Sequence, residues 1–364
     1  MAKTPCHLLV LEGDGIGPEI TSATRRVLDA VAARHGLDLA YETGEIGFTA
    51  LEKAGSTFPD AVYERARAAD GIILGPVSHN DYPPRDKGGL NPSGELRKRL
   101  DLYANIRPAK SYPGLPPRCG EPVDLVVVRE NTEGFYADRN MFAGIGEFMP
   151  TEDVALAVRK ITRKASIRIA ETAFVLARQR RKKVTVVHKA NVLRMSDGLF
   201  LACTREVAKR YPDVEYEEQI IDAMAALLVR QAETYDVIVT TNMYGDILSD
   251  QATEIAGSLG MAASLNAGDE FGLAQAQHGS APTIAGRDIA NPSSLIGSAA
   301  MLLRWIGERR GDTAFAAAAD AIDKALETAV AKPETRTADL GGKLGTRAFS
   351  DHLVALVSAG QPKS

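Results

Sequence analysis

The sequence predicts an α/β protein built on buried, largely parallel strands, and three observations carry that expectation. Short apolar runs rich in β-branched residues recur at 7–11, 71–74, 123–128, 184–187 and 236–240, the pattern of strands covered on both faces. Helical patterns fall between or after them, at 19–34, 59–68, 166–180, 197–209 and 223–231, and tandem strand–helix units mark this class. Each run ends in a polar motif, at the place where ligands bind in open α/β sheets.

In order, the first run leads into EGDGIGP at 12–18 and the second into Gly75-Pro76-Val77. The third leads into RENTEGFY at 129–136, the fourth into HKAN at 188–191 and the fifth into TNMYGD at 241–246. The segment 111–121, with Pro113, Pro116 and Pro117, reads as a rigid surface connection. Residues 134–151, rich in Gly, Phe and Met, lack helical periodicity and read as an arm or hairpin reaching to a partner, whereas the Ala-rich 314–330 is a good helix by propensity.

At 364 residues the chain is long enough for about two domains. Its 43 Lys and Arg against 47 Asp and Glu leave a net charge of −4, without the basic footprint of a nucleic-acid binder. No apolar run approaches the ~20 residues that span a bilayer, so no membrane association is expected. Met1-Ala2-Lys3 lead straight into the first apolar run with no signal segment between. Cys6, Cys119 and Cys203 are odd in number and widely spaced, which suits a cytoplasmic protein with free thiols rather than a disulfide framework.

The chemistry-bearing residues lie in the polar motifs. The turn Gly13-Asp14-Gly15-Ile16-Gly17-Pro18 approaches the dinucleotide fingerprint G-x-G-x-x-G but places Pro18 at the last position. It reads either as a tight strand-to-helix turn, with Pro18 in the first helical turn, or as a ligand-proximal loop. Asp246 and Asp250 stand four apart on one helix face with no basic residue between them. Mutual repulsion calls for a positive neighbour, and the oxygen pair suits Mg²⁺ or Mn²⁺. The competing reading is a solvated helix face with Asp246 at the helix dipole. Arg97, Arg107 and Arg129 near strand ends offer planar forks for a substrate with several carboxylates. Lys189 and Tyr136 are candidate proton handlers. The basic run from Arg178 to Lys183 reads as a helix C-terminus before a buried strand, and Arg159, Lys160, Arg163 and Lys164 as a solvated helix face.

Seven motifs in order resemble the β-decarboxylating dehydrogenases, the family of isocitrate, 3-isopropylmalate, homoisocitrate and tartrate/D-malate dehydrogenases. They are GDGIGPE at 13–19, DLYANIRPAK at 101–110, VRENTEGFY at 128–136, HKANVL at 188–193, TTNMYGDILSD at 240–250, HGSAP at 278–282 and IANP at 289–292. The resemblance implies the family's fold, two α/β domains around a large mixed sheet and not a Rossmann fold. It further implies a discontinuous large domain at 1–102 plus 257–364, a small domain at 103–256 carrying the dimer interface, and an interlocking arm at about 134–151.

By the same resemblance, Arg97, Arg107 and Arg129 bind the malate carboxylates, and Asp246 and Asp250, with Asp222 of a second subunit, hold Mg²⁺ or Mn²⁺. Tyr136 and the second subunit's copy of Lys189 handle protons in a homodimer with shared sites. Ile16, Gly75, His278, Gly279, Ser280, Ala281, Thr283 and Asn291 fall at cofactor-contacting positions. The implied activity is oxidative decarboxylation of a 3-substituted (R)-malate, with hydride passing to NAD(P). Thr283 replaces the Asp usual in NAD users, and the Lys-Tyr of NADP users is also absent; NAD is favoured, with NADP as the alternative and Arg287 nearby. Ala274-Gln275-Ala276-Gln277 replaces the common Phe-Glu-Pro-Val before His278. The substrate-side segment has Asn91, Ser93 and Gly94 in place of an apolar pair or an added Arg. These rank an isocitrate-like substrate first, ahead of 3-isopropylmalate, homoisocitrate and D-malate/tartrate. A regulatory subunit of a hetero-oligomeric dehydrogenase is the non-enzymatic alternative, set against the presence of all of Tyr136, Lys189, Asp222, Asp246 and Asp250.

Overall fold

The five apolar runs all become strands, and within each half of the molecule they run parallel. The structure, a computed structural model, describes residues 4–136 and 140–359, so Met1-Ala2-Lys3 and part of the expected arm (137–139) lie outside the described residues. The chain divides into two units: Met1–Leu100 with Tyr112–Leu115 and Ser258–Ser364, and Asp101–Ser111 with Pro116–Gly257.

In the first unit, β1 (Cys6–Leu11), α1 (Gly17–His35), β2 (Leu39–Gly44), α2 (Gly47–Ala54), α3 (Asp60–Ala68), β3 (Gly71–Leu74) and α4 (Pro92–Arg99) come first. In the second unit follow β4 (Ala104–Lys110), β5 (Asp124–Glu130), β6 (Glu147–Thr151), β7 (Val154–Ala157), α5 (Arg163–Arg178), β8 (Lys183–His188), α6 (Ser196–Ala208), β9 (Glu215–Ile220), α7 (Ile221–Gln231), β10 (Val237–Thr240) and α8 (Asn242–Ala256). The chain returns to the first unit with β11 (Leu265–Ala267), β12 (Gly272–Gln275), α9 (Ser293–Arg310), α10 (Thr313–Val330) and α11 (Thr346–Ala359).

First-unit strands are ordered β2-β1-β3-β12-β11 and second-unit strands β4-β5-β10-β8-β9. β1 pairs in parallel with β2 and β3, as β10 does with β5 and β8, whereas β4 lies antiparallel to β5 and β11 to β12. In the second unit, strand alternation builds a core on each face. Val126, Val128, Val184, Val186, Val237 and Val239 pack with α5 and α6 residues such as Phe174 and Phe200. Leu125, Val127, Val187 and Ile238 face Met224, Leu228 and Leu248 of α7 and α8. A near-continuous apolar run is what two such cores demand.

The strands that the pattern did not predict lack that run. β9, EYEEQI, is an edge strand of half-exposed residues whose acids pair with neighbouring cations, Glu217 with Lys183 at 2.8 Å and Glu218 with Arg205 at 2.6 Å. β4 contains Arg107 and Pro108 and still pairs with β5 over its whole length. The expected arm needs correction: the hairpin is β6–β7, and so continues to Ala157 beyond the 134–151 expected. All nine strand residues of the hairpin are exposed. Pro18 does sit in the first turn of α1, as expected. All three cysteines are free. Among the described residues no helix is long and apolar enough to cross a membrane.

The basic stretches split. Arg178 pairs with Asp213 at 2.6 Å and Arg180 with buried Asp236 at 2.7 Å, while Arg181 donates to the Asp124 carbonyl at 2.8 Å, so this run braces the α5–β8 connection. Arg159 is not on a helix face, because α5 begins only at Arg163. Its side chain is 7% exposed and pairs with the wholly buried Asp197, between the rings of Phe135 and Tyr244.

Candidate active site

The ends of β4, β5 and α8 bring the charged residues of the second unit together. Arg129 closes the apolar run of β5 and its side chain is only 2% exposed. Its Nε and Nη2 donate to Asn242 Oδ1 at 3.0 and 2.7 Å, its Nη2 also reaches the Tyr136 hydroxyl at 2.9 Å, and its Nη1 pairs with Asp246 Oδ1. Asn242 is held in turn by donating to the Glu133 carbonyl at 2.9 Å. Arg107, on β4, donates from Nε to Asn105 at 2.9 Å. Its Nη1 reaches Ser249 Oγ at 2.8 Å, Asp246 at 3.1 Å and Asp250 at 3.4 Å. Tyr136 donates its hydroxyl proton to Asp246 Oδ2.

The positive neighbour that the Asp246–Asp250 spacing requires is therefore a pair of buried guanidinium groups. Burial and the adjacent Arg129 pull Arg107 down to about 10, against the opposing pull of Asp246 and Asp250; it stays charged at neutral pH. The helix-dipole reading of Asp246 fails, since the first turn of α8 carries no acid. Gly245 permits the close approach, because a Cβ there would lie 2.7 Å from Cβ of Arg129, shorter than side-chain carbons tolerate.

A second cluster surrounds Lys189, just beyond β8. Its Nζ pairs with Asp222 of the same chain, which holds the Asp222 carboxyl below the usual carboxylate range. Its backbone N–H donates to Asp197 Oδ2 at 2.6 Å, and Asp197 is the partner of Arg159. Arg159 also donates to Ser196 and Thr241, both at 3.0 Å, tying the start of α6 to the start of α8. Asp222 does not join Asp246 and Asp250 within this chain: among the described residues no three His, Cys, Asp or Glu side chains converge as a metal site. The pair Asp246 and Asp250 still fits Mg²⁺ or Mn²⁺, which take one or two carboxylates and fill the remaining positions with water and substrate. The charges also balance. A divalent ion would neutralise the two carboxylates and leave Arg107 and Arg129 for a dianion.

In the first unit the turn after β1, the end of β3 and the segment 278–284 form one wall. Gly15 has φ +57, and a Cβ on it would lie 2.0 Å from the Ser280 carbonyl, the oxygen that accepts the Ile16 N–H at 2.9 Å. Gly75 donates to the Leu11 carbonyl at 2.7 Å. Ser280 Oγ meets Ser78 Oγ at 2.7 Å, and Gly279 borders open space. His278 Nε2 is buried without a hydrogen-bond partner, and burial pushes the imidazole below its usual range. Ala281 sits at φ +40, Thr283 on the short turn Pro282–Ile284, and Asn291 donates to Asp339 at 2.9 Å. Open space beside Gly279 and an orphaned imidazole nitrogen suit a cofactor's polar groups. Asp14 holds this wall together: it accepts from the N–H groups of Phe48 and Ser78, both at 2.9 Å, and from the Tyr82 hydroxyl.

Also in the first unit, Asn91 caps α4 by accepting from the Gly94 N–H at 3.2 Å. Gln275 Oε1 accepts from Ser93 Oγ at 3.0 Å and from Arg97 Nη2 at 2.9 Å. The sequence reading did not single out Asn105, Asn242, Ser249, Arg159, Asp197 or Asp14 as functional. Asn105, Asn242 and Ser249 are neutral and carry no charge pattern to reveal them, while Arg159, Asp197 and Asp14 are charges whose burial and partners the linear sequence does not display, although Asn242 stands inside TTNMYGD and Asp14 inside the glycine turn. Gln275 was visible only as a departure before His278.

Buried arginines facing carboxylates beside a tyrosine hydroxyl, on an α/β frame, form a charged site whose donors suit a small carboxylate. The isocitrate/isopropylmalate dehydrogenase family model matches residues 7–353, and the chain belongs to that family. It is 42% identical over 356 residues to the 3-isopropylmalate/3-methylmalate dehydrogenase of Methanocaldococcus jannaschii, covering 96% of this chain and 98% of that one. It is 43% identical over 350 residues to the isocitrate/homoisocitrate dehydrogenase of Thermus thermophilus, covering 96% and 97%. The crystal structure of isocitrate dehydrogenase from Methylococcus capsulatus superposes with a TM-score of 0.85 at 40% identity, over 97% of this chain and 99% of that one. The fold is thus that of the family.

Proposed function

We infer that the chain catalyses oxidative decarboxylation of a 3-substituted (R)-malate, passing hydride to NAD, with NADP as the alternative. In this reading it works with Mg²⁺ or Mn²⁺, as a cytoplasmic homodimer. The observation that carries the reading is the convergence of Arg107, Arg129 and Tyr136 on Asp246. Arg107 and Arg129, with Arg97, take the substrate carboxylates; buried, pre-oriented guanidinium forks bind such groups with little loss of freedom. Asn91 and Ser93 line the C3 side. Asp246 and Asp250, with Asp222 of the second subunit, would hold the divalent ion, and Ile16, Gly75, the segment from His278 to Ala281, Thr283 and Asn291 would hold the dinucleotide. When bound, the nicotinamide accepts the hydride and the ion polarises the carbonyl that forms.

The chain's own residues move the protons. Lys189 of the second subunit takes the hydroxyl proton, with Asp222 and the Asp197–Arg159 pair holding it in place. Tyr136 returns a proton to the substrate carbon after CO₂ leaves, and Arg129 beside its hydroxyl stabilises the oxygen left behind. The test is initial rates with Mn²⁺, crossing NAD and NADP with isocitrate, 3-isopropylmalate, homoisocitrate, D-malate and tartrate. Reduction of either dinucleotide by at least one of these acids is expected. No reduction by any of them refutes the reading.

A further inference from the structure

At the C-terminal end of β12, Gln275 is buried and fixed from several sides. Its carbonyl accepts from Ser264 Oγ at 3.0 Å and Ser298 Oγ at 2.9 Å, and its N–H donates to the Ser264 carbonyl at 3.2 Å. A side chain on so rigid a backbone presents its amide in one direction. That amide oxygen accepts from Ser93 Oγ and Arg97 Nη2 together, at 3.0 and 2.9 Å. Two donors already meet the oxygen, so the geometry assigns it, rather than the NH₂ group, to this position.

A serine hydroxyl has one proton to donate and two lone pairs to offer. Here the proton goes to Gln275. What Ser93 then presents from the first turn of α4 is acceptor only. Asn91, one residue before α4, does the reverse: its side-chain oxygen accepts from the Gly94 N–H, which leaves its NH₂ group as a donor. A donor at Asn91 beside lone pairs at Ser93 matches a hydroxyl, which both accepts and donates, whereas a buried carboxylate meets lone pairs at Ser93 where it needs a donor and loses solvation without replacement. The isocitrate-like ranking has Asn91 and Ser93 together reading a third carboxylate, and this geometry spends the Ser93 donor elsewhere.

Resting on the decarboxylating-dehydrogenase reading above, we propose that Gln275 is a specificity-determining residue, setting the site for a dicarboxylate with an uncharged, hydroxyl-sized group at C3 and against a tricarboxylate. Gln275 acts by orienting Ser93 rather than by contact with the reacting atoms. Sites that hydrogen-bond a particular substrate group discriminate strongly against analogues that cannot complete the bond.

The test measures Kd by calorimetry, with Mn²⁺ present, for tartrate, D-malate and isocitrate, in the wild type and in Gln275→Leu. Wild type should bind tartrate, which carries the C3 hydroxyl, at least about 10-fold more tightly than isocitrate, and D-malate, which lacks it, less tightly than tartrate. Gln275→Leu removes that acceptor, frees the Ser93 hydroxyl to donate to substrate and should shrink that ratio at least about 10-fold; adding Ser93→Ala should remove the shift. Gln275→Glu, which keeps the acceptor and adds charge, should widen the ratio, and it serves equally if the leucine variant does not fold. Isocitrate binding as tightly as the dicarboxylates in wild type, or a ratio unmoved in the folded variants, overturns the proposal. Binding needs no turnover, so these outcomes stand apart from the rate panel, whose failure would refute the activity instead.

Discussion

Asp197→Asn removes one charge from the interior of the second unit while keeping the side chain's shape. Asp197 is 0% exposed and Arg159 7% exposed, so the guanidinium left behind stays largely out of water. Asparagine's oxygen can still accept the Lys189 N–H, now at 2.6 Å, but its NH₂ group then faces the Arg159 donor, so the charge and the acceptor are lost together. Breaking a buried ion pair by deleting one partner costs about 3–5 kcal/mol, whereas an exposed pair is worth less than about 1 kcal/mol. With a urea m-value of about 3 kcal/mol/M, suited to a chain of this size, a loss of ~4 kcal/mol lowers the unfolding midpoint by more than about 1 M. Arg159→Met should lose a similar amount, and the double variant should recover at least about 2 kcal/mol of the summed losses, since neither charge is then orphaned. Urea titrations followed by circular dichroism measure all four proteins. Losses below about 1 kcal/mol in each single variant, or simple additivity in the double, would show that water reaches the pair and refute the reasoning.

Burial pushes Glu133 up to about 7, above its unfolded value. Its stabilising contribution is therefore complete below about pH 4.5 and lost as pH rises through about 7, by at most about 3 kcal/mol; urea midpoints from pH 5 to 8 should fall in wild type and flatten in Glu133→Gln. Gly245→Ala places a methyl group 2.7 Å from Cβ of Arg129 and should cost about 1–3 kcal/mol by overpacking, read as a lower melting temperature together with a raised KM. Lys189→Met and Tyr136→Phe should each lower kcat about 10²–10⁴-fold with unchanged circular dichroism; near-normal rates in both would remove the proton-handling roles. Asp246→Asn should raise the Mn²⁺ concentration that gives half-maximal rate, and an unchanged titration would strike that residue from the ligand set.

Much of the central frame was legible because its residues answer to a single requirement. Strands covered on both faces carry near-continuous apolar runs, and β1, β3, β5, β8 and β10 each contain one. Their helices follow from period and capping, with Pro18 opening α1. Strands β4 and β9 stayed hidden for the opposite reason: β4 carries a site arginine beside a proline, and β9 is an edge where Glu215, Glu217 and Glu218 find cations from adjacent elements. The hairpin β6–β7 was legible as an exposed arm but not in its limits, because solvent on both sides imposes no alternation.

At the site, composition and order along the chain already selected Arg97, Arg107, Arg129, Tyr136, Lys189, Asp246 and Asp250, since charged groups at strand ends are expensive to place and stand out in an apolar pattern. Tertiary packing decided what each charge meets. Arg159 looked like one of several solvated cations and is instead buried against Asp197, 38 residues away in sequence. Gln275 and Ser93 are separated by 182 residues, and neither alone shows which of them gives the proton. Charge and periodicity are local properties that a linear chain can carry. The direction of a hydrogen bond depends on two groups that only the fold brings within 3 Å of one another.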